Sequence, residues 1–290
     1  MPTVRVRGVE LSYEEHGDGP DVLVAHGLMG SVAAMPNFGE RVEEMAALGL
    51  HVVAYDARGH GRSGYTTRKA DYSWAALAED MHAFIEAVGL ERPTVYGGSM
   101  GAGTALMLAL EHPDAVARLI LRAPPPFGRH LKPVRRTFGG LALLFRLFGP
   151  AIAARIAARL TPVGPDGSRE DVRKFLASQR RAAVVPAIRG LLIDGPELPA
   201  ERFGEIAQPA LILAHRGEGV HPVTCAEALH ERMQDAALAM APGARAWESR
   251  PEALARIVAA FARGERVEGL LPPGVSYAAA RAPAGDSARI

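Results

Sequence analysis

The chain predicts an α/β fold: a mostly parallel, doubly wound sheet with an antiparallel hairpin at its start and an inserted helical cap. Three observations predict it. Six short, nearly continuous apolar runs, "DVLVAHG", "HVVAYDARG", "PTVYGGS", "RLILRAP", "PALILAH" and "ALAMAPG", have the texture of strands buried on both faces. Stretches of helical period separate them, and strand–helix alternation builds a parallel sheet with helices on both sides. Between about Pro124 and Gln208 the alternation lapses into helical and loop-rich text, which reads as an insertion.

Each element follows in order. Val4, Val6, Val9, Leu11 and Tyr13 alternate with polar residues around Gly8, the period of a hairpin with one exposed face. "YSWAALAEDMHAFIEAVGL" is helical and stops near Gly89. "MGAGTALMLALEH" is apolar almost all round, so it should be a buried helix, ended by Pro113. "FGGLALLFRLFGPAIAARIAARL" should be two short amphipathic helices broken at Gly149-Pro150. Arg146, Arg155 and Arg159 leave no uncharged run of the roughly 20 residues a membrane span needs. "RPEALARIVAAFARG" has Pro251 near its first turn, a stripe of Leu254, Ile257, Val258 and Phe261, and Gly264 past its end. From Glu265 periodicity is lost, and the text looks like a tail. The expected division is therefore core at 1–123, cap at 124–208, core again at 209–264, and tail at 265–290.

Composition bounds the function. The chain has 290 residues, 48% hydrophobic and 22% charged, enough for a large core. A net charge of +1 argues against nucleic-acid binding. The cap is the basic part, with 14 Lys and Arg against 7 Asp and Glu between Pro126 and Ile206. A solvated basic face is the plain reading, and attraction of an anionic substrate or an acidic partner protein is the functional one. Cys225, the single cysteine, excludes an intrachain disulfide and reads as a packing residue. With no signal-like start, the expectation is a cytoplasmic protein acting on a small molecule, away from membranes.

The chemistry centres on "VYGGSMGAG". Gly97, Ser99 and Gly101 form G-x-S-x-G between a β-rich run and an apolar helix. A sharp strand-to-helix turn would strain Ser99 and lift its Oγ above a helix N-terminus, whose dipole favours developing negative charge. Gly97 and Gly101 remove side chains that would collide there. The backbone N–H of Met100 becomes an oxyanion donor.

"AHGLMG", around His26 to Gly30, and "YDARGHGRSG", Tyr55 to Gly64, follow the first two buried strands. In this order with Gly97-Gly98-Ser99-Met100-Gly101, they resemble the α/β-hydrolase superfamily, and within it the capped esterases, lactonases and carbon–carbon hydrolases. The resemblance covers about Val4 to Gly264. It implies that Leu28 gives the second oxyanion N–H, that His26 and His60 are structural, and that no metal or organic cofactor is used. It also implies a serine hydrolase acting on a small ester, lactone or related carbonyl compound. After "PALILAH" the family carries an acid and then a Pro opening a helix. Here Glu218 falls at the acid position and Pro222 at the opening, and a solvated loop glutamate is the plainer reading of Glu218.

The chain departs from the family at the base. After the last strand the family runs Pro-Gly, a short gap, His, then an aromatic. Here Pro242-Gly243-Ala244 is followed by Arg245, Ala246 and Trp247, which leaves Ala246 in the histidine slot. Without a base a serine hydroxyl is a weak nucleophile. Three explanations stay open: a histidine removed by design, a base that has moved, or a scaffold diverted to binding or to lyase-, cyclase- or isomerase-type work. Of the histidines that could have moved, His221 is the best placed, ahead of His215 and His26. If Ala246 marks the slot, Ala246→His should raise activity sharply. For the cap, Phe138, Leu144, Phe145, Leu147 and Phe148 are candidate pocket walls, with plain cap core as the alternative.

Overall fold

Strand β1 (Thr3–Val6) turns into β2 (Val9–His16) over two residues, and the pairing of Val6 with Val9 fixes the register. Arg7 and Gly8 both have positive φ, 42° and 87°, as a two-residue hairpin turn matched to strand twist requires. This computed structural model describes residues 1–160, 168–217 and 219–281.

The apolar runs become β3 (Asp21–Ala25), β4 (His51–Tyr55), β5 (Thr94–Gly98), β6 (Arg118–Arg122), β7 (Ala210–His215) and β8 (Ala236–Ala241). They lie side by side in the order β1-β2-β4-β3-β5-β6-β7-β8. Pairing is parallel from β4 through β8, and the hairpin enters antiparallel. Every residue of β5, β7 and β8 is buried, because helices cover both faces of the sheet.

One face carries α2 (Trp74–Val88), capped by the Ser73 side chain and closed by left-handed Gly89, and α3 (Met100–Glu111), buried from Met100 to Leu110. The helix α7 (Val223–Arg232) packs into the same core cluster through Cys225 and Leu229, which gives the lone cysteine its packing role. The other face carries α1 (Val42–Ala46) and α9 (Pro251–Ala262), with Pro251 in its first turn. Two clusters of buried side chains result, one on each side of the sheet.

The insertion is helical, as expected. It contains α4 (Leu131–Leu160), α5 (Arg169–Ala177) and α6 (Arg181–Ile188). In α4 the backbone breaks at Gly149, φ 73° and ψ 170°, so the stretch is two helices meeting ahead of Pro150. By length and apolar composition alone, the segment from Gly128 to Leu160 could cross a membrane. In the fold it instead forms a small core of its own with α5 and α6, built on Phe145, Ala153, Ala154 and Leu176.

The expected tail is corrected in part. Val267 is buried, and β9 (Ser276–Ala278) pairs antiparallel with β8, completing a nine-stranded sheet. A three-residue strand with one half-buried side chain, Tyr277, has too little apolar periodicity to stand out in sequence.

Candidate active site

The strand-to-helix turn after β5 is tight because two glycines let backbones touch. A Cβ on Gly97 would lie 2.3 Å from the carbonyl carbon of Gly101, and one on Gly101 would lie 2.2 Å from the Ala25 oxygen. Ser99 sits between them at φ 49° and ψ −103°, a conformation that costs an ordinary residue about 1–3 kcal/mol. Its N–H donates to the Arg122 carbonyl at 2.9 Å, and the Gly101 N–H donates to the His26 carbonyl at 3.1 Å. These two bonds tie the turn to β6 and to the loop after β3.

Met100 is the first residue of α3, so its N–H has no partner within the helix. The turn after β3 closes through the Gly30 N–H on the Gly27 carbonyl, 2.9 Å, and bypasses the N–H of Leu28. Among the described residues neither the Leu28 nor the Met100 N–H donates a hydrogen bond. Both residues line one cavity wall together with Ser99.

His221 precedes α7, in the loop leaving β7, and its Nε2 lies 2.8 Å from Ser99 Oγ. That is hydrogen-bond distance for a serine hydroxyl and an imidazole. The remaining histidines near the site behave differently. His26 is buried, donates from Nδ1 to the Gly27 carbonyl at 2.7 Å and accepts the Ala57 N–H on Nε2 at 3.0 Å. Burial holds its pKa below the ordinary value. His60 is buried against it, ring centroids 5.1 Å apart, and gives Nδ1 to the Arg58 carbonyl. Burial, reinforced by the neighbouring His26 ring, pushes His60 down to about 3. Both are neutral braces for the loops that hold the site, matching the structural roles expected of them.

The loop "DARGHGRS" is structural for the same reasons. Asp56 accepts the N–H groups of Val32 and Arg62, each at 2.7 Å, and Arg58 pairs with buried Asp80 at 2.6 Å. His215, at the end of β7, reaches the cavity wall, whereas Glu218 lies outside the described residues.

The position read as the histidine slot, Ala246, lies in the turn after β8. After β8 the chain enters a single turn of helix, α8 (Arg245–Glu248). Trp247 is buried there and donates its indole N–H to the Ala214 carbonyl at 3.1 Å. Ala246 packs against the core beside it. With Trp247 anchored inward, the cavity-facing residues are Ala244 and Glu248, four apart and hence on one helical face.

Ser99, Leu28 and His221 stand where two cavity arms meet. One arm, about 130 Å³, is apolar and walled by Trp74, Pro125, Val134, Phe138, Leu191 and Val220. The other, about 160 Å³, carries Arg122, Glu40, Glu248 and His215 on its walls, with Phe38 and Phe175 beside them. Of the five cap residues offered as walls, only Phe138 lines either arm. Phe145 is wholly buried in the cap's own core, Leu144 packs on that core, and Leu147 and Phe148 are about half exposed. Arg122 and Glu40 were missed from sequence. The signal was present in "RLILRAP", where an arginine ends a strand that is otherwise buried.

Residues 20–148 match the family model described as alpha/beta hydrolase fold. The chain is 30% identical over 246 residues, 80% of its length and 87% of the relative's, to "Putative carbamate hydrolase RutD" of Variovorax paradoxus. Its fold is similar to that of the enol-lactonase from Burkholderia xenovorans LB400, with TM-score 0.74 at 19% identity, covering 90% of this chain and 99% of that one. It is equally similar to a thermophilic esterase from Thermogutta terrifontis, TM-score 0.74 at 22% identity, covering 91% and 99%. With an elbow serine at the carboxyl edge of a mostly parallel sheet, a helical cap above it and a relative alike along most of its length, the chain belongs to the α/β-hydrolase superfamily.

Proposed function

We propose that the protein is a serine hydrolase of small esters or lactones in which His221, from the loop after β7, is the general base. The observation that carries this reading is the 2.8 Å separation of His221 Nε2 and Ser99 Oγ. Ser99 Oγ attacks the substrate carbonyl carbon while Nε2 takes the hydroxyl proton. The tetrahedral oxyanion is held by the N–H groups of Leu28 and Met100, at the positive end of α3. As the intermediate collapses, the carbon–oxygen bond to the leaving group breaks and His221 returns the proton to the departing oxygen. Water, deprotonated by the same nitrogen, then releases the acid from Ser99. Glu218 is the proposed acid of the set, three residues before the base in the same loop.

The names of the relatives support the substrate class: a carbamate hydrolase, an enol-lactonase and an esterase all act at a carbonyl bearing a heteroatom leaving group. Labelling with a serine-directed fluorophosphonate and turnover of a simple aryl ester test the reading. Both should vanish in Ser99→Ala and fall steeply in His221→Ala. A wild-type chain that neither labels nor turns over would leave a ligand-binding scaffold in place of a hydrolase.

A further inference from the structure

Arg122 ends β6 beside the elbow, on the wall of the larger arm, and only 6% of its surface is exposed. Its hydrogen bonds all leave from one nitrogen. Nη1 donates to the Phe38 carbonyl at 2.6 Å, to Glu40 Oε1 at 2.8 Å and, more weakly, to the Tyr96 hydroxyl at 3.4 Å. Tyr96 donates in turn to Glu40 Oε1 at 3.0 Å. The Nε and Nη2 hydrogens make no hydrogen bond among the described residues. Both nitrogens keep exposure to the cavity, where a ligand can take up their hydrogens. The free Nε–Nη2 edge is also the fork that takes a carboxylate through two parallel bonds.

We infer that Arg122 is the specificity-determining residue of the site, and that it selects substrates carrying a carboxylate one short arm away from the scissile carbonyl. The inference rests on the Ser99 reading and names its substrate class. Glu40 and Tyr96 hold the guanidinium through Nη1, which leaves the Nε–Nη2 fork for a ligand. The apolar arm then takes the other half of the substrate. Three further titratable groups face the same arm, His26, His215 and His221. One acidic group opposes the assignment: Glu248 lines the arm and is like-charged with a bound carboxylate. Its removal should therefore improve binding.

Two substrate pairs test this. The p-nitrophenyl half-ester of glutaric acid against its methyl-capped diester puts the carboxylate on the acyl side. 4-Acetoxybenzoate against its methyl ester puts it on the leaving-group side. In the wild type at least one pair should show a kcat/KM preference of about tenfold to a hundredfold for the charged member, the range of a charge-assisted bidentate contact. Arg122→Gln alone would strand a buried Glu40 carboxylate, so the matched variant is Glu40→Gln with Arg122→Gln, its fold checked by thermal melting. There the preference should collapse toward parity, whereas in Glu248→Gln it should grow. A wild type without preference in either pair overturns the inference, as does a preference that survives in the folded double variant. Calorimetric binding of 4-acetoxybenzoate and of glutarate to Ser99→Ala separates this from failure of the hydrolase reading. Binding weakened tenfold or more by the double substitution upholds the arginine fork even if no ester is turned over, and equal or absent binding of both 4-acetoxybenzoate and glutarate rejects it.

Discussion

The loops that leave β7 and β8 stand side by side at the carboxyl edge of the sheet, yet only one delivers an imidazole. The β7 loop runs to Pro222 and places His221 against Ser99. The β8 loop winds into α8, whose Trp247 plugs into the core and donates its indole N–H to the Ala214 carbonyl. That anchor turns Ala246 inward and leaves Ala244 and Glu248 to face the cavity. The difference teaches that a catalytic position on this scaffold is defined by distance to the nucleophile, and a loop can meet that distance only if its own packing lets it.

The largest expected effect breaks the comparison at its active half. His221→Ala should lower kcat/KM for an aryl ester about 10²–10⁴-fold, the usual contribution of a positioned base. The rate of fluorophosphonate labelling should fall with it, and a loss below tenfold would put the base elsewhere.

Next comes acid stability, which sets the proposed base His221 against the braces His26 and His60. The folded chain refuses a proton at His60 down to about pH 3, whereas the ordinary value for an unfolded histidine is 6.5. The unfolded state therefore binds more protons across that window, and stability falls as pH drops from about 6.5 toward 3. His60→Gln can still donate to the Arg58 carbonyl and should flatten that fall, as read by denaturant melts at pH 7 and pH 4.5. An unchanged slope would mean that the proton is not refused there.

A smaller effect concerns the strain at the elbow. Ser99→Gly relieves the positive φ but adds freedom to the unfolded chain, for a net gain of about 1 kcal/mol. Melting should rise by a few degrees in the variant that has lost all labelling. A lower melting temperature would argue that the turn is unstrained. The smallest effect is at the inactive half. Ala246→His should leave esterase turnover within about twofold of wild type, because the new ring points into the packing around Trp247. A sharp rise would restore Ala246 as the true slot and overturn the account of α8.

The candidate site was legible in sequence wherever chemistry depends on local backbone. Gly97, Ser99 and Gly101 announce the elbow because only glycine permits the 2.2–2.3 Å approaches around it. Leu28 and Met100 follow from the turns that carry them. Phe138 could not be told from Phe145 in the same helix, since both are aromatic and lie on its inward side. One reaches the cavity and the other closes the cap's own core, as helix-to-helix distances dictate. Arg122 was passed over because the run around it reads as buried strand, and its partner Glu40 lies 82 positions away.

The sequence by itself determined the sheet, the hairpin register, the cap and the strained serine, because each is written in short-range periodicity or in glycine's freedom of φ. Only the tertiary structure decided which histidine meets the serine. Ser99 and His221 are 122 positions apart, and a contact across that span depends on how three strands align and how the loops above them pack. Packing also set the phase of α8, since a buried indole anchors it and no local pattern reports that phase.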